Sequence, residues 1–221
     1  MERIKEEFLD KLESVISLRG KDVLEIGCGE GTRSIEIAGL CKSLTAIDPD
    51  PELISKAGTE SHRDNISYVV ASAEQLPFSE GLFDLVVFTL SFHHVPKDKM
   101  AIAIDESLRV LRRDGYIVFL EPEFNGSLFE SEIMFEAFDG DERKMKALAY
   151  FVMLDHLKLE EVAEIADETI WKLESVEDYI EAMKPKKNLD KLEQFLRDKN
   201  FMLRASRRIN IFKPAKPVLT S

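Results

Sequence analysis

Short apolar runs and amphipathic stretches alternate along the first two-thirds of the chain. KDVLEIG ends an apolar run in glycine and reads as a buried strand. TRSIEIAGLC follows with helical spacing. SLTAIDPD is a second strand, stopped by Asp48–Pro49, and PELISKAG is the next helix, with Pro51 favoured in its first turn. ISYVVAS and FDLVVFTLSF are further strands. The second is wholly apolar from Leu85 to Phe88, the pattern of a strand buried on both faces. DKMAIAIDESLRVLRRDG predicts a long helix closed by Gly115, and GYIVFLEPE a fifth strand. This rhythm specifies an α/β fold, a doubly wound, mostly parallel sheet with right-handed crossovers.

The flanks read differently. MERIKEEFLDKLESVI predicts a first amphipathic helix. FNGSLFESEIMFEAF, ERKMKALAYFVMLDHL and LEEVAEIADETI space their apolar residues as helices, and SVEDYIEAMK begins with a serine cap. Residues 124–188 are therefore expected to be an inserted helical cap within a single domain spanning 1–221. Its Phe and Met content offers lining for an apolar pocket. LDKLEQFLRDKNF predicts a last helix. MLRASRRINIFKP closes the chain as a hairpin or as one strand.

Composition narrows the function. No apolar run approaches the roughly 20 residues that span a bilayer, and the charged N-terminus has no signal core, so a cytoplasmic protein is expected. A net charge of -12 argues against a nucleic-acid binder. The acid-free segment carrying Arg204, Arg207, Arg208, Lys213 and Lys216 reads as solvated surface. Cys28 and Cys41 lack metal-ligand spacing, so no disulfide or zinc site is expected, and no metal.

In a doubly wound sheet the ligand binds at the carboxyl ends of the strands. Gly27, Gly29 and Gly31 end the first predicted strand, Asp48 the second, Ser72, Ala73 and Glu74 the third, Thr89 to His94 the fourth, and Glu121 to Glu123 the fifth. Glycine permits positive φ and close approach of a ligand. The loop reads G-x-G-x-G, and Thr32 stands where a dinucleotide fingerprint has its third glycine, which disfavours a pyrophosphate. Asp48, about 20 residues on, suits the two hydroxyls of a ribose. Glu25 beneath the loop repels phosphate and favours an amino group. An adenosine bearing an ammonium in place of phosphates satisfies all three.

VLEIGCGEG, AIDPD, ASAEQLPFSEGLFDLVVFTLSFHHV and LRVLRRDGYIVFLEP, in this order over roughly residues 20 to 123, resemble the class I S-adenosylmethionine-dependent methyltransferases, particularly the type-11 and ubiquinone/menaquinone-biosynthesis branch. The resemblance implies a Rossmann-like methyltransferase fold and S-adenosyl-L-methionine as cofactor, released as S-adenosyl-L-homocysteine. It implies that Gly27, Cys28, Gly29 and Gly31 hold the methionine part with help from Glu25. Asp48 and Pro49 would flank the ribose, Ser72, Ala73 and Glu74 would border the adenine, and Thr89 and Leu90 would lie near the sulfonium. Many relatives carry Asp where Ser72 stands. The implied reaction is in-line methyl transfer to a small, partly apolar acceptor. His93, His94 and Glu121 are the candidate catalytic residues, with Glu123 beside them. A non-catalytic S-adenosylmethionine-binding module and a tRNA or protein methyltransferase are the alternative readings.

Overall fold

Five parallel strands come from the alternation described above. A computed structural model describes residues 1–216 of the 221-residue chain. The elements are β1 (Glu2–Lys5), α1 (Phe8–Glu13), β2 (Asp22–Ile26), α2 (Thr32–Ala38), β3 (Ser43–Asp48), α3 (Pro51–Glu60), β4 (Ile66–Val70), β5 (Phe83–Thr89), α4 (Met100–Val110) and β6 (Leu111–Pro122). They continue with α5 (Ser127–Phe135), α6 (Arg143–Asp155), β7 (Leu159–Lys172), α7 (Val176–Met183), α8 (Leu192–Asp198) and β8 (Met202–Pro214). One sheet runs in the order β1-β7-β8-β6-β5-β2-β3-β4. Strands β2 to β6 pair in parallel, and β8 lies antiparallel between β6 and β7.

Period-two burial explains why the central strands read as continuous apolar runs. Leu24, Val86, Phe88, Ile117 and Phe119 join the face covered by Met100, Ala103 and Ile104 of α4 and Ala149 and Met153 of α6. Val23, Leu85, Val87, Val118 and Leu120 join the opposite face, with Phe8 and Leu12 of α1 and Ile37 and Ala38 of α2. A third cluster packs Phe135, Tyr179, Met183, Phe195 and Leu196 between the cap helices and α8.

Three local expectations are corrected, and the choice left open at the closing segment is resolved. LEEVAEIADETI is a strand: Ala163, Ile165, Asp167, Thr169 and Trp171 take the more buried alternate positions of β7. Polar side chains at two inward positions masked the period of two. The 124–188 segment is therefore not purely helical. The first helix starts at Phe8, because residues Glu2–Lys5 pair with β7 as an edge strand. The long helix ends at Val110, and Gly115 lies inside β6, where the pairing with β5 slips, not at a helix cap. MLRASRRINIFKP is one 13-residue strand that serves both neighbours.

Arg207 is not solvated surface either. It is buried between Glu6 and Asp167, and Lys11 reaches the other oxygen of Asp167 at 3.1 Å. This network ties the N-terminal segment to the edge strands. Burial alone would raise the Glu6 carboxyl, but Arg207, Arg33 and Arg3 outweigh it and hold the pKa at about 2. A depressed carboxylate stabilises the fold above its unfolded value of 4.5 and loses that contribution as pH falls toward 2. The difference in thermal midpoint between wild type and Glu6→Gln is therefore expected to be full above pH 4.5 and to shrink below it. A pH-independent difference would show that the Glu6 charge contributes nothing.

Candidate functional site

The loop after β2 is shaped by three glycines with φ of +78° (Gly27), +54° (Gly29) and +80° (Gly31). The amides of Gly27 and Cys28 both donate to the Ile47 carbonyl, at 2.8 and 3.0 Å, which fastens the loop to β3. A Cβ at Gly27 would overlap the Ser91 side chain. One at Gly31 would stand 2.6 Å from the Tyr68 hydroxyl. Asp48, at the end of β3, accepts from the Gly29 amide on Oδ2 and from the Asp50 amide on Oδ1, both at 3.0 Å. Its carboxylate retains lone pairs for a ligand.

Glu25 lies one layer deeper and is fully buried. The Ser34 hydroxyl donates to Oε2 at 2.5 Å and the Thr89 hydroxyl to Oε1 at 2.9 Å. Burial raises its pKa against the pull of these two hydroxyls. Glu25 thus braces β2, α2 and β5 beneath the loop. Burial, with the nearby charges of Glu25 and Asp48, also pushes the Cys28 thiol far up, so Cys28 is an inert filler.

Ser72, Ala73 and Glu74 form the turn after β4, where the Gln75 amide donates to the Ser72 carbonyl at 3.2 Å. Ala73 is buried. Leu90, just past β5, holds φ at +58°, a left-handed conformation rare for leucine. Its amide donates to the Leu120 carbonyl, and the Ser91 hydroxyl donates to the Ile26 carbonyl at 2.6 Å. Strain of this kind gathers where a ligand site dictates the backbone.

Beyond Leu90 a short 3-10 turn, Phe92–His94, is clamped by Glu121 from the end of β6. Glu121 accepts from the Phe92 amide at 2.9 Å, from the His93 amide at 3.3 Å and from His93 Nδ1 at 2.5 Å. His93 Nε2 then lies 3.5 Å from Glu142 Oε2, and His94 Nδ1 lies 3.5 Å from Glu142 Oε1. Burial would lower the pKa of His93, but Glu121 and Glu142 raise it to about 9. His94 is half exposed; burial, with the charge of His93, lowers its pKa. Lys146, one turn along α6, stands 3.5 Å from Glu142 and 3.8 Å from Glu132. Burial lifts Glu132 to about 7 despite Lys146.

His93, His94, Glu132, Glu142 and Lys146 border a cavity of about 350 Å³, whose walls also include Leu90, Phe129, Phe138 and Trp171. A wider open groove of about 890 Å³ lies between α5 and the start of β8, lined by none of the residues of the glycine loop. Of the candidate catalytic residues, His93, His94 and Glu121 come together. Glu123 lines the same cavity apart from that cluster and stands 3.8 Å from Arg208. Glu142, Glu132, Lys146 and Trp171 are additions that sequence spacing did not single out. Glu142 and Lys146 share one face of α6 as an i, i+4 pair, the only local signal they carried.

Comparison with known proteins agrees with this geometry. A family model described as "Methyltransferase domain" matches residues 24–119, from β2 through most of β6. The matched segment is similar to a methyltransferase domain. An uncharacterized methyltransferase of Bacillus velezensis is 25% identical over 149 residues, 67% of this chain and 66% of the relative. The chain spans between 40% and 66% of the length of three curated relatives that it matches. Among solved structures, the N-methyltransferase NodS of Bradyrhizobium japonicum, in complex with S-adenosyl-L-homocysteine, superposes with a TM-score of 0.58 at 19% identity. That alignment covers 94% of this chain and 85% of NodS. A SAM-dependent methyltransferase from Aquifex aeolicus gives a TM-score of 0.57 at 11% identity, over 90% and 88% of the two chains. The chain thus shares its fold with these two methyltransferase structures. Among the described residues no helix is long and apolar enough to cross a membrane.

Proposed function

We propose that the chain moves a methyl group from S-adenosylmethionine to a small, partly apolar acceptor held in the 350 Å³ cavity. The observation that carries this reading is the junction at Leu90 and Ser91. Ser91 packs against Gly27 of the glycine loop, and Leu90 lines the cavity, so cofactor loop and acceptor space meet at one strained turn. In this reading the loop backbone holds the methionine part, Asp48 holds the ribose, and Ser72 and Ala73 border the adenine. S-adenosylmethionine supplies an already activated methyl group. The chain contributes orientation and exclusion of water, through the apolar cavity walls. Glu121 positions the His93–His94 turn, which forms the polar end of the cavity. The acidic rim of Glu132, Asp139 and Glu142 suits an acceptor that carries an amine, and the likeness to the N-methyltransferase NodS supports this.

Titration calorimetry with S-adenosylhomocysteine tests the cofactor site. Asp48→Ala removes two charge-assisted ribose contacts, each worth about 1.5–3 kcal/mol, and is expected to weaken binding at least about 100-fold. Equal affinity would refute the ribose assignment. Transfer of a labelled methyl into a fractionated cell extract tests the acceptor class. Label in the small-molecule fraction is the expected outcome, and label in RNA or protein would overturn the acceptor.

A further inference from the structure

The polar end of the cavity has more structure than methyl transfer requires. Three donor atoms converge there: His93 Nε2, His94 Nδ1 and a Glu142 carboxylate oxygen, all within 4.8 Å of one another. Each histidine nitrogen is 3.5 Å from the carboxylate oxygen that faces it. Ligands held at about 2.0–2.1 Å around a tetrahedral ion are about 3.3–3.4 Å apart. Each histidine nitrogen is near that spacing from a different oxygen of Glu142, so a small turn of the carboxylate brings one oxygen to both. Ordinary hydrogen bonds between the same groups would be about 2.7–3.0 Å.

The support behind the donors points the same way. Glu121 stands 2.5 Å from His93 Nδ1 and orients the ring so that Nε2 faces Glu142, and an ion there would displace the Nε2 proton. Two backbone amides hold Glu121 itself in place. A histidine oriented by a carboxylate behind it is the usual outer arrangement of a metal-ligating imidazole. Charge also favours a dication. Glu121, Glu132, Asp139 and Glu142 surround the cluster, against Lys146, which pairs with Glu142 at 3.5 Å and Glu132 at 3.8 Å, while Arg33 and Arg207 line other parts of the cavity wall.

We propose that His93, His94 and Glu142 form a binding site for one divalent transition-metal ion, with Glu121 as the positioning residue behind His93. Two imidazoles and one carboxylate select zinc, cobalt or nickel over magnesium or calcium, which prefer all-oxygen ligands. Three protein ligands leave a fourth position, and because His94 is half exposed on the cavity that position faces the acceptor space. The site stands on its donor set alone and does not depend on methyl transfer taking place.

The test is titration of Co²⁺ into the chelator-stripped full chain, followed by visible absorption, with Zn²⁺ calorimetry in parallel. One saturable equivalent with the intense visible bands of low-coordinate cobalt is expected. His94→Ala and Glu142→Gln should each weaken binding more than about 100-fold, and Glu121→Gln about 10–100-fold. His62→Ala, on an exposed histidine, should leave it unchanged. Thermal unfolding of each variant shows whether it is folded. Absence of saturable binding in the wild type would overturn the proposal, leaving His93 as an ion-pair partner of two carboxylates. Binding that persists in both folded ligand variants would overturn it as well. S-adenosylhomocysteine binding, measured on the same wild-type sample, reports on the cofactor reading separately.

Discussion

Gly27→Ala is expected to abolish S-adenosylhomocysteine binding while the sheet stays folded. Gly27 has a φ of +78°, where an alanine is strained by about 1–2 kcal/mol. The larger effect is steric. The new Cβ would overlap Ser91 Cβ and lie 2.6 Å from its Oγ. Ser91 has little room to retreat, because its hydroxyl is bonded to the Ile26 carbonyl and its neighbour Leu90 is already in a left-handed conformation. The loop must therefore lift, breaking the paired bonds from Gly27 and Cys28 to Ile47. A loss beyond about 1,000-fold, about 4 kcal/mol, should be seen by calorimetry. Gly29→Ala is the contrast. Its φ of +54° is strained, but nothing lies within 4 Å of the added atom, so about tenfold weakening is expected. Wild-type affinity in Gly27→Ala would show that this loop does not hold the cofactor.

Arg207→Ala should produce the largest loss of stability. Its guanidinium is 2% exposed and bridges Glu6 to Asp167, whose own side chain is fully buried. Removing one partner of a buried pair leaves the other charges uncompensated, at a cost of about 3–5 kcal/mol. For a chain of this size each kcal/mol lowers the thermal midpoint by about 2–4 °C, so a drop of about 6–20 °C is expected in calorimetric melting. Lys11 remains on Asp167, and Arg3 and Arg33 remain on Glu6, which places the loss at the lower end of that range. Arg207→Met keeps most of the stem's packing without the charge, so it should be nearly as destabilised as Arg207→Ala. If Arg207→Met instead recovers most of the loss, packing of the arginine stem is the main contribution, not charge.

The two predictions draw on differently legible parts of the chain. Gly27, Asp48 and the strands that present them follow from local pattern: an apolar run, a glycine loop, an apolar run ending in acid. Each is buried on both faces or bent by glycine, and both conditions leave a mark within a few residues. Arg207 left no such mark. It looked like one of several basic residues on a solvated segment until β8 was seen between two neighbours.

β7 shows the same limit from the other side. Its inward positions include Asp167 and Thr169, and their partners are Arg207 and the Lys5 carbonyl, 40 and 164 residues away in sequence. A period of two is visible only when inward residues are apolar, so the segment resembled a helix. The metal-like cluster likewise unites a 3-10 turn after β5 with the residue that opens α6.

The sequence by itself determined the parallel sheet, the position of the glycine loop and the strand ends at which the candidate cofactor residues gather. These depend on hydrophobic burial and backbone freedom, which act on neighbouring residues. Only the tertiary structure decided which polar groups are buried together: Glu25 with Ser34 and Thr89, Arg207 in its ion network, and Glu142 against the two histidines. Burying a polar group is costly unless a partner satisfies it, and that partner is chosen by the fold and not by the spacing along the chain.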